Sequence, residues 1–316
     1  MDSSRQPLIV MPDDEGLTRA AQILRDGGLV AVPTETVYGL AARADSDQAV
    51  ARIYKAKGRP DFNPLIVHVA HVDQACEFGR LDERAHLLAQ AFWPGPLTMV
   101  VPRATDAKLA PAVTAGLPTV AIRCPAHPAM RSLISACGLP LSAPSANRSG
   151  GVSPTTAGHV VRSLDGKVDC IVDGGPCEAG IESTIVALRD DGGWQVLRPG
   201  PITEAQISDV LGANGDVTTP SGKIEAPGQL VSHYAPGKPV RLNAASAESD
   251  EFHIGFGSVP GDINLSSRGE LSEAAARLYL ALHAAAASKK PRIAVALIPQ
   301  DGIGTAINDR LSRAAA

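Results

Sequence analysis

Apolar positions along the chain switch between two spacings. Leu17, Ala20, Ala21 and Leu24 recur at helical spacing, and Gly27-Gly28 supplies a stop at the helix C-terminus. Leu29-Val30-Ala31-Val32 then reads as a buried strand ended by Pro33. Asp47 to Lys57 predicts a second helix, with Val50, Ile53 and Tyr54 on one face and Gly58 closing it. Leu65 to Val69 reads as a strand, and Asp82 is placed to cap a helix carrying Leu87, Leu88, Ala91 and Phe92 that Pro94 ends. Further strands are expected at Leu97–Val101, Thr119–Arg123, Val168–Val172, Thr184–Leu188 and Trp194–Leu197, with helices at Pro128–Ala136 and Thr155–Leu164. The class is α/β. The strand at 97–101 and the closely spaced strands of 168–197 imply antiparallel pairing too, so a mixed, twisted sheet with helices is expected.

Regular periodicity disappears between about Gly212 and Pro239, where Ala226-Pro227-Gly228 and Tyr234-Ala235-Pro236-Gly237-Lys238-Pro239 interrupt the chain. A connection of that length is usually functional or disordered. Beyond it, Phe252–Phe256, Leu271–Ala287, Ile293–Ile298 and Thr305–Arg313 predict a strand–helix–strand–helix unit, a second, smaller α/β domain. The expected division is 1–211, a linker at 212–239, and 240–316.

Composition narrows the function classes. The 316 residues fit two domains better than one. A net charge of −4 argues against a chain that coats nucleic acid through bulk charge, although a local basic groove is compatible with it. Five cysteines without a C-x-x-C pair point away from zinc and from a disulfide framework, and towards a reducing, cytosolic compartment. No signal-peptide layout opens the chain and no apolar run approaches the roughly 20 residues that span a bilayer.

The candidate chemistry lies in three polar segments that follow strand-like runs: Pro33–Gly39, Lys57–Pro64 and Ser142–Ser153. The last, Ser-Ala-Pro-Ser-Ala-Asn-Arg-Ser-Gly-Gly-Val-Ser, has no bulky side chain and exposes backbone N–H groups and short donors suited to a phosphate. Each segment also has a plain reading. Lys55, Lys57 and Arg59 suit a solvated helix C-terminus. Thr34 to Thr36 suit a helix cap. Arg123 suits a strand-end cation. No Walker A pattern, H-E-x-x-H or nucleophile elbow occurs, and Gly255–Gly261 departs from a dinucleotide fingerprint at its third glycine and at Pro260.

Taken together, the PTETVYGL, KxRP, SxPSAN, GxEST and HYAP segments, in that order, resemble the two-domain threonylcarbamoyl-AMP synthase family, and Leu297–Leu311 is similar to its second domain. The resemblance implies a YrdC-like domain followed by a Rossmann-like one. It implies an enzyme, a nucleotidyltransferase, that converts L-threonine, bicarbonate and ATP to threonylcarbamoyl-AMP and pyrophosphate, with Mg²⁺ accompanying ATP. The product would pass to a downstream tRNA threonylcarbamoyl transferase for N6-threonylcarbamoyladenosine (t6A) modification. By the same resemblance Arg59, Asn63, Thr119, Ser145, Asn147, Ser153, Arg198 and Tyr234 surround ATP. Thr36, His68, Arg123, the Ala143 backbone and Ser183 hold threonine, Arg123 through paired hydrogen bonds to its carboxylate. Lys57 and Arg59 are the expected catalytic cations. No carboxylate base stands out, so catalysis by positioning and charge is expected. The alternative is a tRNA- or double-stranded-RNA-binding module without chemistry, and a stable nucleic-acid or membrane partner is not expected.

Overall fold

The computed structural model describes residues 6–212, 225–229 and 233–316. Its larger unit is built on a ten-stranded sheet. From edge to edge the strands are Leu8–Val10, Cys170–Val172, Val30–Pro33, Tyr38–Arg43, Leu141–Ser142, Ile66–His68, Thr119–Arg123, Leu97–Pro102, Thr184–Leu188 and Trp194–Arg198. Parallel and antiparallel pairs alternate irregularly, so the sheet is mixed. One expectation fails in detail. Cys170–Val172 does not join the strands of 184–198 but pairs in parallel with Val30–Pro33 near the opposite edge. The strands of 168–197 are close in sequence but not in space.

Local chemistry explains the helices. Asp13 caps Asp14–Arg25 by accepting from the Gly16 N–H, and Gly27 follows with φ +81°. Ser46 caps Asp47–Lys57, which Gly58 ends in the left-handed region. Asp82 caps Glu83–Phe92 as expected. Three helices lie outside the expected set: the short Val72–Cys76 and Pro111–Thr114, and Glu204–Leu211, which begins with a reciprocal capping box between Thr203 and Gln206.

The smaller unit carries a four-stranded parallel sheet ordered Val240–Arg241, Arg292–Val295, Glu251–Gly255, Ile263–Asn264. Helices Leu271–Ala287 and Gly304–Ala314 pack with it. Its apolar core does not stop at the unit's edge. Val37, Val152 and Ile181 of the larger unit join Leu278, Tyr279 and Leu282 in one buried cluster, with Tyr234 of the connection among them. Docking therefore buries apolar surface from the very segments that approach the site. Among the described residues, no helix is long and apolar enough to cross a membrane.

Candidate active site

Several strand ends and loops meet in one cleft. Thr36 and Val37 come from the turn between two central strands, His68 and Arg123 end adjacent parallel strands, and Ala143 to Ser145 follow Leu141–Ser142. Glu182 and Ser183 precede Thr184–Leu188, and Arg198 ends the edge strand. Pro227, Gly228, His233 and Tyr234 of the connection cover them.

Arg123 is nearly inaccessible, and three of its five N–H groups are engaged. Nε donates to Gly95 O at 3.2 Å, Nη1 to Thr36 Oγ1 at 3.0 Å and Nη2 to Glu35 Oε1 at 2.6 Å. One N–H on each terminal nitrogen is left for an incoming carboxylate. Burial would raise the Glu35 pKa, but the Arg123 charge, its hydrogen bond and the Ala126 N–H hold the group below its ordinary range. His68 is buried beside this pair. Desolvation and the Arg123 charge push its pKa down to about 3, so it is neutral, with Nδ1 3.1 Å from Ile66 O.

Arg59 and Arg198 sit differently. Arg59 donates to Asn63 O, Asn63 Oδ1 and Pro64 O, and Arg198 to Ser183 O, Ser183 Oγ and Pro227 O. All these acceptors are uncharged. Burial lowers both pKa values, that of Arg59 to about 10. Gly228, with φ +87°, runs close against Arg198. A Cβ there would lie 2.9 Å from Arg198 Cδ.

Lys57 departs from its expected place. It is buried behind the cleft, not in its lining, and Nζ donates to Ser145 O and Asn147 O, both at 2.5 Å. Its ammonium holds the small-residue loop from beneath. Asn63 likewise reaches the cleft through Arg59, and Ser153 through Glu182, to whose Oε1 it donates at 2.5 Å. Thr119 lies at the far end of the strand that Arg123 ends, roughly 13 Å away along an extended backbone, and outside the lining.

A side chain of the GxEST segment that was not among the expected site residues completes the wall. Glu182 is buried and ionised: desolvation would raise its pKa, but Arg310 and Arg198 hold it at about 2. Two carboxylates therefore border the cleft, and neither is basic enough to act as a general base near neutral pH. Arg310 stands behind that wall, its Nε 3.0 Å from Glu182 Oε2. Tyr234, buried with φ +64°, adopts a conformation uncommon for an aromatic residue. The connection is held by Ala235 N donating to Gly150 O at 2.8 Å. Among the described residues, Asn147 Oδ1, His233 Nδ1, Tyr234 Oη and Ser142 Oγ are buried without a hydrogen-bond partner. Buried polar atoms are normally paired, so the two of these on the cleft lining, His233 Nδ1 and Tyr234 Oη, leave room for a polar ligand.

Relatives place this geometry. A family model described as "Telomere recombination" matches residues 22–200, and one described as "Threonylcarbamoyl-AMP synthase, C-terminal domain" matches 202–316. The Bacillus subtilis threonylcarbamoyl-AMP synthase is 42% identical, the match covering 96% of this chain and 94% of that protein. The Pyrococcus abyssi threonylcarbamoyl-AMP synthase is 38% identical over 93% of this chain and 92% of its own length. A crystal structure of P. abyssi Sua5 complexed with L-threonine superposes with a TM-score of 0.89 at 35% identity, covering 98% of this chain and 97% of that one. These matches lend nothing to an RNA-binding module without chemistry. With both units matched, in order and over nearly the whole length, the chain belongs to the threonylcarbamoyl-AMP synthase family.

Proposed function

We propose that this cleft makes threonylcarbamoyl-AMP from L-threonine, bicarbonate and ATP. The observation that carries the reading is the contrast among three arginines in one covered cleft. One is balanced by a carboxylate and keeps two N–H groups for another, while two are bonded only to neutral oxygens. The balanced one suits an amino acid and the other two suit a polyphosphate.

The threonine carboxylate would accept from Arg123, with Thr36, His68, Ser183 and the Ala143 backbone around the rest of the molecule. Its amine adds to the bicarbonate carbon, a hydroxyl leaves as water, and a carbamate remains. A carbamate oxygen then attacks the α-phosphorus of ATP and pyrophosphate departs. Both partners in that step are anions, so cations and preorganised donors supply the rate. Arg59 and Arg198 would neutralise the phosphates, with Ser145 and Tyr234 as donors, while Asn147, whose amide N–H groups already donate to Arg148 O and Gly151 O, would brace the small-residue loop. Lys57, Asn63 and Ser153 would act by positioning their neighbours, and Thr119 would meet the far end of the nucleotide. His68, held neutral, adds no charge to the threonine side.

Mg²⁺ requires a separate reading. No cluster of three or more His, Cys, Asp or Glu side chains is arranged to hold a metal among the described residues, and Glu35 and Glu182 are engaged by arginines. These residues do not fit a resident metal. The ion would arrive bound to the triphosphate.

Domain limits of 1–211 and 240–316 suit this division of labour, with 212–239 as a lid. Residues 213–224 and 230–232 of that stretch lie outside the described residues. The cleft encloses about 50 Å³, against the roughly 300–1,000 Å³ of small-molecule sites, so the segment bearing Gly228 and Tyr234 would part to admit ATP. Closure would keep water from a carbamate and an acyl adenylate that both decompose readily. The product would pass, in the cytoplasm, to a transferase acting on tRNA.

The test is pyrophosphate release by the full chain, with each component omitted in turn. Release should require L-threonine and bicarbonate and no RNA. Release indifferent to threonine would overturn the reading.

A further inference from the structure

Glu182 stands where three parts of the chain meet. Its Oε1 accepts from Ser153 Oγ at 2.5 Å, and its Oε2 from the Tyr279 hydroxyl at 2.8 Å and Arg310 Nε at 3.0 Å. Ser153 belongs to the small-residue loop of the larger unit, while Tyr279 and Arg310 sit on the two helices of the smaller one. Arg310 is fully buried and also donates from Nη1 to Pro199 O, next to Arg198, and to Asp309 Oδ2, both at 2.8 Å.

The same two side chains frame Tyr234. The Tyr279 ring stacks on it with centroids 5.6 Å apart, and the Arg310 guanidinium lies 5.5 Å from its ring centre. Backbone packing fixes the arrangement further. Gly180 lies so close to the helix of Tyr279 that a Cβ would stand 2.4 Å from Ala276 Cα. Tyr279 and Arg310 thus reach the site through Glu182 and Tyr234, which line it, and do not line it themselves.

A buried ion pair is weak evidence for stability, because desolvation offsets much of the attraction. Its placement is more informative here. A network that served only to hold two units together would not need to end on a cleft wall.

We propose that Arg310 and Tyr279 are positioning residues for adenylate formation: from the smaller unit they fix the Glu182 carboxylate and the Tyr234 ring, so the wall on the nucleotide side is complete only when the two units dock. This rests on the reading that the nucleotide lies beside Arg59 and Arg198. The groups facing Glu182 are Arg310, Arg198, Tyr279, Tyr234, His233 and Lys57, and the charge of Arg310 does most to keep it ionised against its burial. Removing that charge leaves the desolvation in force, so the carboxyl becomes easier to protonate.

The experiment uses full-length Arg310→Met, Arg310→Lys and Tyr279→Phe beside the parent, with pyrophosphate release followed from pH 5 to 8 and ATP affinity measured by calorimetry. Threonine-dependent release by the parent tests the reaction itself, separately from the variants. Arg310→Met should lower kcat by about tenfold or more, keep the KM for L-threonine within about twofold, and fall off towards pH 5 more steeply than the parent, whose own decline follows loss of bicarbonate to CO2. Arg310→Lys should recover part of that loss. Tyr279→Phe, which keeps the stacking ring, should weaken ATP about threefold, a change that calorimetry reads whether or not turnover is observed. An Arg310→Met protein that melts like the parent and keeps its kcat and pH profile overturns the proposal. If that variant does not fold, parental ATP affinity in Tyr279→Phe overturns it instead. A lower melting temperature with unchanged constants in the folded fraction would reduce the network to a structural tie, and also counts against it.

Discussion

Arg123 faces a carboxylate at 2.6 Å, whereas Arg59 and Arg198, in the same cleft, bond only amide, carbonyl and hydroxyl oxygens. The difference is one of electrostatic reserve. Glu35 cancels most of the field of Arg123 and leaves a directional pair of N–H groups, suited to a singly charged carboxylate that must be oriented. Arg59 has no carboxylate bonded to it and Arg198 feels Glu182 only through space, and burial keeps water from screening either, so their attraction for a multiply charged group is strong. One cleft thereby separates recognition by geometry from recognition by charge.

The largest effect should come from removing a cation that no carboxylate bonds directly. Arg198→Ala should reduce kcat about a hundredfold in the pyrophosphate assay, in the range seen when one preorganised transition-state donor is lost. A loss under threefold would mean that Arg198 only braces Ser183. Next, Arg123→Ala should raise the KM for L-threonine at least about tenfold and change that for ATP less than about twofold, as loss of a charge-assisted pair of hydrogen bonds predicts. The reverse pattern would assign Arg123 to the nucleotide and erase the comparison. Glu35→Gln should have a smaller effect, raising the KM for L-threonine severalfold because Arg123 is less firmly aimed; steady-state kinetics with threonine as the varied substrate reads this.

The mildest test concerns pH. Burial holds His68 and His233, one beside each kind of arginine, at a pKa of about 3, and His159 similarly, against an ordinary 6.5. These histidines fold neutral. Their contribution is complete above pH 6.5 and is lost as pH falls from 6.5 towards 3, by at most about 1.4 kcal/mol per pH unit for each. Glu182, depressed from 4.5 to about 2, adds a loss with the same sign at lower pH. Thermal melts should therefore be flat from pH 7 to 8 and fall below 6.5. A stability maximum at pH 5 would contradict the neutral histidines.

Elements with strong periodicity and local stop signals were legible in the sequence. Asp47–Lys57, Leu271–Ala287, Thr119–Arg123 and Thr184–Leu188 fall where the pattern puts them. The strands missed were short or weak in β character. Val240–Arg241 and Ile263–Asn264 have two residues each, too few to show alternation, and Tyr38–Arg43 is rich in alanine and glycine, which strands disfavour. The helix at Glu204–Leu211 did carry a signal, the Thr-x-x-Gln of its capping box. In the site, the motif residues gather as a set, but their division of labour was hidden. That Lys57 would hold backbone carbonyls and that Arg123 would meet Glu35 depends on register across strands far apart in sequence. Arg310 was invisible for the same reason, since its partner Glu182 lies 128 residues earlier.

That separation has a temporal meaning. A ribosome adding about 5–20 residues per second needs roughly 6 to 26 seconds to travel from Glu182 to Arg310. During that interval the emerging chain holds Glu182 without the guanidinium that offsets its burial, and Tyr234 without the ring stacked on it. The nascent polypeptide therefore carries Arg59, Arg123 and Arg198 before it carries the side chains that back the wall. On the role proposed for Arg310, full activity waits for the helix that bears it, so the order of translation itself would hold back the reaction until both halves exist.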